Sequence, residues 1–352
     1  MPSTSKKSNL FPLKTRAHQC FSLFRPFWFF FGICCGLLAW WQFHERPLGD
    51  NPLYTDFKVT LPQRDFLFVA VLSYQQNDAL RDAARRTWLK FSTHATVHRF
   101  FVGSLGVPDE RRIALEREAR ANGDLILLEN VPDSFSNRTF KLLQAYLWVF
   151  SNYKCSYVLK LNDNSFARVD TIARELGRVS VMDFRNPLLC WGFFAGYAPV
   201  SRSGPWAEPA WFLSDRYLPY ACGGGYVLSW YTVVYIGYNS KLLDLYANDD
   251  VAVGVWLAPL LMNRTHDRRF DTERESRGCF NSYLVTHQQT VATMEEKYKN
   301  LVELGVLCKQ EVQLRMSYVY NKKARLSLCC VRNVSDIRMP REIEEEKERQ
   351  GG

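Results

Sequence analysis

Apolar positions along the first half of the chain fall into two alternating rhythms. Phe66–Ser73 (FLFVAVLS) is a continuous apolar run, the pattern of a strand buried on both faces. Asp78–Phe91 follows with helical character and no Gly or Pro. Val97–Val102 predicts a second strand, Pro108–Asn122 a charged helix stopped by Gly123, and Leu125–Leu128 a third strand. Phe140–Asn152 sets Leu143, Leu147 and Phe150 on one helical face, and Tyr157–Leu161 predicts a fourth strand. Strands and helices alternating at this spacing predict an α/β domain with a mostly parallel, Rossmann-like sheet. Its ligands bind outside the carboxyl ends of the strands. The second half is richer in loops and aromatics. There Leu188–Phe194 and Tyr226–Leu228 read as strands, Leu242–Tyr246 as helical, and Met294–Leu304 as a helix closing at Gly305.

The amino end is patterned differently. Residues 26–43 (PFWFFFGICCGLLAWWQF) hold one strongly polar side chain, Gln42. At about 1.5 Å per residue they nearly span a hydrocarbon core of about 30 Å. Bulky Trp40, Trp41 and Phe43 follow where a signal-peptide cleavage site needs small residues, which favours an uncleaved anchor. Lys6, Lys7, Lys14, Arg16 and Arg25 lie on the amino side and Glu45 on the other. The positive-inside rule then predicts a cytoplasmic head (1–25), one transmembrane helix (26–43), a Pro-bearing stem (44–64), a lumenal domain (65–335) and a charged tail (336–352).

Composition narrows this further. The chain has 352 residues, 47% hydrophobic and 23% charged, which excludes disordered and collagen-like classes. Five of its nine net positive charges sit before residue 44, so the body is only mildly basic and no nucleic-acid partner is expected. Three sequons, at Asn137, Asn263 and Asn333, agree with a lumenal body. Seven body cysteines are allowed disulfides there. The odd number leaves at least one thiol unpaired or paired between chains, so the oligomeric state stays open.

Three segments can carry chemistry. Asn162-Asp163-Asn164 follows the fourth strand directly, where oxygen ligands can hold a divalent metal against a diphosphate, though Asn-Asp-Asn is also a good turn. Asp249-Asp250 can supply a general base or cap a helix. Tyr220…Gly223-Gly224-Gly225 places glycines that permit positive φ and close approach beside aromatics suited to a sugar-facing loop. Trp191 adds to the aromatic supply. His287 is a metal ligand or a structural histidine.

Together, in this order, these segments resemble glycosyltransferase family 31, the inverting β-1,3-glycosyltransferases. The likeness rests on Arg81…Arg85-Arg86-Thr87-Trp88 and on Asp133-Ser134-Phe135…Asn137-Arg138-Thr139…Lys141. It continues through Tyr157-Val158-Leu159-Lys160, Tyr217-Leu218-Pro219-Tyr220…Gly223-Gly224-Gly225-Tyr226 and Asp249-Asp250-Val251…Gly254, and spans about Phe66 to Arg332. The resemblance implies a GT-A type catalytic domain on a type II anchor in the Golgi membrane. The donor would be UDP-galactose, the cofactor Mn²⁺, and the acceptor galactosyl-β1,4-xylose on a core-protein serine, in glycosaminoglycan linker synthesis. It implies Asp250 as base with Asp249 orienting it. Arg85, Lys141 and Asp163 would meet the donor, Trp191, Tyr220 and Gly223 to Gly225 would line donor or acceptor, and Asp163, Asn164 and His287 would face the metal. Close relatives carry three aspartates where this chain has Asn162-Asp163-Asn164, so formal charge there falls from −3 to −1. A weakened or metal-independent transferase is expected. The competing readings are a catalytically silent lumenal chaperone and a transferase using another donor or acceptor.

Overall fold

The computed structural model describes residues 65–179, 188–209 and 211–335. The predicted head, anchor, stem and tail lie outside the described residues, among which no helix is long and apolar enough to cross a membrane.

Seven strands form one sheet: β1 (Asp65–Leu72), β2 (Thr96–Leu105), β3 (Leu125–Pro132), β4 (Cys155–Asn162), β6 (Leu189–Ala195), β7 (Tyr220–Ser229) and β8 (Asn263–His266). Their order is β3-β2-β1-β4-β7-β6-β8. Neighbours pair in parallel except at β7, which runs antiparallel to both β4 and β6. The mostly parallel α/β sheet expected from the sequence is therefore present. Alternate residues of β1 serve two cores. Leu67, Val69 and Val71 pack on one face with Ala83, Ala84 and Trp88. Phe68, Ala70 and Leu72 pack on the other with Tyr146, Val149 and Val158. Burial on both faces is why this strand is a continuous apolar run and not an alternating one.

The helices are α1 (Asp78–Arg86), α2 (Asp109–Asn122), α3 (Arg138–Asn152), α4 (Val169–Val179), α5 (Trp230–Asn239), α6 (Asp249–Leu257) and α7 (Val291–Leu304). Gly123 and Gly305 close α2 and α7 in the left-handed region, at φ 67° and 72°. Three expectations are corrected. The helix Asp78–Phe91 breaks at Thr87, whose Oγ1 donates to Ala83 O. A 3₁₀ turn, Trp88–Phe91, then turns Trp88 fully into the core. Leu242–Tyr246 is not a helix. A 3₁₀ turn ends at Leu242 and the backbone is extended at Leu243; Leu243 and Tyr246 pack against the core while Leu242 and Leu245 are 83% and 51% exposed. Gly223 to Gly225 form no loop; they lie inside β7, and none has positive φ.

A small three-stranded sheet joins β5 (Phe166–Ala167), β10 (Val285–Thr286) and β9 (Phe270–Asp271). It brings His287 beside the end of β4, with Gln289 N donating to Asn164 O at 2.7 Å. Cys279–Cys308 and Cys329–Cys330 are bridged, and Cys190 and Cys222 are buried thiols.

Candidate active site

After β1 the chain steps to β2 on one side, and β4 later pairs on the other. The order of the sheet therefore reverses between β1 and β4, which opens a crevice at their carboxyl ends. A cavity of about 710 Å³ occupies that place. Its lining includes Tyr74, Asn77, Arg138, Lys141, Asp163, Asn164, Trp206, Tyr220, Gly223, Gly224, Asp249, Asp250, Arg274 and His287.

The paired carboxylates come from the first turn of α6. Asn248 caps that helix, its Oδ1 accepting from Asp250 N at 2.9 Å and Val251 N at 3.2 Å. With the cap supplied by Asn248, both aspartates are left for other work. Asp249 is buried and receives Arg138 Nε at 2.7 Å and Lys160 Nζ at 3.3 Å. Desolvation pushes its pKa up, but Lys160 and Arg138 outweigh that and hold it below the usual carboxylate range. Asp250 accepts Lys160 Nζ at 3.2 Å. Desolvation, then the neighbouring Asp249 charge, raise Asp250 to about 6. Two adjacent carboxylates are thus driven apart, one fixed as an anion and one poised near neutrality, as a general base requires.

Gly223 sits where the α6 terminus presses on β7. A Cβ there would fall within the Asp250 carboxylate, and one on Gly224 would lie 2.6 Å from His287 Cβ. The glycines are needed for close approach in extended backbone.

Among the described residues no three His, Cys, Asp or Glu side chains converge as a metal site, so a cation after β4 would depend on Asp163 with the Asn164 oxygen and His287. Asp163 is buried, and its Oδ2 accepts from Ser73 Oγ at 2.7 Å and Asn77 Nδ2 at 2.8 Å. Desolvation raises its pKa, so a nearby cation would favour its charged form. Asn164 Oδ1 is buried with no hydrogen-bond partner, an oxygen a hard cation would accept. Burial, with Lys160 and Arg138 nearby, holds His287 down at about 4, so its ring is neutral at pH 7. Ser165 Oγ donates to Gly224 O at 2.6 Å, which leaves it to accept from His287 Nδ1 at 3.3 Å. That assignment leaves Nε2 with the lone pair a metal ligand needs.

Lys141 lines the cavity but is already engaged, donating to Asp133 Oδ1 at 2.7 Å and Ser73 O at 2.8 Å. Three expected site residues do not reach the cavity. Arg85 is tied to Asp124 and Glu118, each at 2.8 Å, and lines a separate pocket of about 310 Å³. Trp191 is a core residue, its Nε1 donating to Asp267 Oδ2 at 3.0 Å. Gly225 packs on Leu161 and Val285. Sequence reasoning had assigned no role to Arg138, whose guanidinium lies 3.7 Å from the Trp206 ring and 4.3 Å from that of Phe135. In the sequence it stands in the middle of a sequon and in the Asn137-Arg138-Thr139 segment of the family resemblance. Lys160 closes the Tyr157–Lys160 segment of the resemblance without a role there, although a lysine inside an apolar strand is a signal in itself.

An α/β sheet with a switch-point cavity, a split carboxylate pair and an oxygen-rich turn after β4 suits a group-transfer enzyme. The sequence signature described as galactosyltransferase matches residues 79–268. Mouse beta-1,3-galactosyltransferase 6 is 45% identical over 271 residues, 76% of this chain and 83% of that protein. UDP-GalNAc:beta-1,3-N-acetylgalactosaminyltransferase 2 of Xenopus laevis is 30% identical over 189 residues, 53% of this chain and 38% of that protein. Among solved structures, the apo-form glycosyltransferase GlyE of Streptococcus pneumoniae TIGR4 aligns at a TM-score of 0.33 and 13% identity. That alignment covers 64% of this chain and 55% of that one and is too loose to carry an argument. The chain belongs to the galactosyltransferase family, and it is a hexosyltransferase.

Proposed function

We propose that the chain is an inverting β-1,3-galactosyltransferase of GT-A type, moving galactose from UDP-galactose to galactosyl-β1,4-xylose on a core-protein serine. The reading would place it in the Golgi membrane on a type II anchor. The observation that carries it is Asp250, a carboxylate raised to about 6 in the wall of the switch-point cavity. The likeness to mouse beta-1,3-galactosyltransferase 6 supports the donor sugar and the linkage.

Asp250 takes the proton of the acceptor 3-hydroxyl. The freed oxygen forms its bond to the anomeric carbon of galactose while the bond to UDP breaks on the opposite face, and the configuration inverts. Asp249, pinned by Arg138, holds the first turn of α6 and stays charged. Tyr74, Trp206 and Tyr220 in the cavity wall offer rings to the sugars. Asp163, Asn164 and His287 would hold Mn²⁺, which when bound neutralises charge on the diphosphate.

The test uses the full chain in detergent with UDP-galactose and a galactosyl-xyloside, in Mn²⁺ and in EDTA, beside Asp250→Asn. A β1,3-linked product is expected, reduced about 10³-fold in the variant. Failure of a folded protein to turn over or bind either substrate would overturn the function. Ordinary micromolar Mn²⁺ dependence would overturn only the weak metal site.

A further inference from the structure

Lys160 stands near the carboxyl end of β4 with none of its surface exposed, opposite Tyr226 of β7. The β4–β7 ladder ends at the Leu161–Gly225 pair. Two residues further along β7, the Gly223 carbonyl accepts Lys160 Nζ at 2.8 Å. The same nitrogen reaches Asn162 Oδ1 at 3.1 Å, Asp250 Oδ1 at 3.2 Å and Asp249 Oδ2 at 3.3 Å. An ammonium has three N–H groups, and here four acceptors surround it. It can therefore release one acceptor and still be fully bonded.

We infer that Lys160 is the positioning residue of the transfer. It aims the Asp250 carboxylate, keeps it ionised until the acceptor binds, and moves to the other three acceptors once Asp250 has taken the proton. This rests on the reading of Asp250 as the base. The balance is closed: the proton passes from the acceptor oxygen to Asp250, the new C–O bond replaces the bond to UDP, and UDP leaves with the electron pair. Lys160 neither gains nor loses a proton, and its gift to Gly223 keeps β7 against the α6 terminus throughout.

The groups facing Asp250 leave this role to few candidates. Asp249 on its own helix disfavours its charge. Tyr146 of α3 and Tyr220, Cys222 and Tyr226 of β7 interact with it as weak acids, all raised by burial and neutral at pH 7. The cations are Lys160 and Arg138, and the Arg138 bond goes to Asp249. Lys160 alone among these groups hydrogen-bonds the Asp250 carboxylate.

The experiment is a ¹³C NMR titration of the Asp250 carboxyl, assigned by its loss in Asp250→Asn, run beside the pH dependence of kcat/KM. In Lys160→Met the Asp250 midpoint should rise by about one unit or more, and the acid limb of kcat/KM should move with it. Lys160→Arg should bring the midpoint back toward wild type. An unmoved midpoint in Lys160→Met overturns the inference, even if activity falls at every pH, because a merely structural lysine would lower the rate without shifting the titration. Should Lys160→Met not fold, the wild-type ammonium decides. Its ¹⁵N resonance must inflect at the Asp250 midpoint and lose that inflection in Asp250→Asn; a flat trace overturns the proposal. Both NMR readings stand without turnover, so a failure of the proposed substrates is seen separately.

Discussion

At the scale of single residues the site depends on what is missing as much as on what is present. Gly223 lacks the carbon that would collide with the Asp250 carboxylate. Gly223→Ala must push either the carboxylate or the strand aside, and overpacking of this kind costs about 1–3 kcal/mol. The fold can absorb that cost, because β7 pairs on both sides and its apolar residues lie in both cores. The base cannot absorb it, since a displacement of about 1 Å at the reacting groups can cost about 10²-fold in rate. Gly223→Ala should thus lose about 10²-fold in kcat with the KM for UDP-galactose little changed and cooperative melting intact. Wild-type kcat in that variant would show that Asp250 does not work from the position described. The glycine run itself was plain in the sequence. Its use was not, because close approach depends on a helix twenty-five residues later in the chain and local pattern favours a turn.

At the scale of elements, the strands and helices of the first half were legible because periodicity is local. Leu67 to Leu72 declare their burial by type, and Gly123 marks a helix end by its own conformational freedom. What failed was anything settled by tertiary contact. Arg85 shows this well. The family resemblance implies a donor contact for it, yet α1 points it away from the carboxyl ends of the strands. It holds α1 to α2 through Glu118 and to the start of β3 through Asp124, with its guanidinium 4.9 Å from the Phe100 ring. Desolvation opposes both carboxylates, but hydrogen bonds from Arg85, with Arg81 on Glu118 and His98 on Asp124, hold them low. Their stabilisation is present above about pH 4, their unfolded value, and is lost as pH falls through the lowered folded values. Arg85→Met should therefore cost about 1–3 kcal/mol in urea unfolding at pH 7, and less as the pH is lowered below about 4. Donor KM should stay at the wild-type value. A raised KM with unchanged stability would return Arg85 to the donor site.

For the whole molecule, the charge burden of the cavity opposes stability above about pH 6. The sequence announced the carboxylate pair but not its energetics, which come from burial under α3, β4 and β7. His266 and His287 are both held at about 4 by burial, so acidification below their unfolded value of about 6.5 loads protons on the unfolded chain first and weakens the fold. Asp250 works in the opposite sense. Its folded value of about 6 lies above the unfolded value of about 3.9, so the folded state binds the proton first. The cost of burying its charge is present in full above about pH 6 and disappears as pH falls toward 4. Asparagine keeps the shape and never carries that charge. It also leaves Lys160 fully bonded, since Gly223 O, Asn162 and Asp249 remain as acceptors. Asp250→Asn should accordingly melt at a higher temperature than wild type at pH 7.5. The gain should shrink through pH 6 and vanish near pH 4, while activity is lost at every pH. Thermal melts of the two proteins across pH 4–8 check this directly. A variant less stable than wild type at pH 7.5, or a difference that ignores pH, would mean that Asp250 is an ordinary stabilising partner of Lys160 and not a strained base.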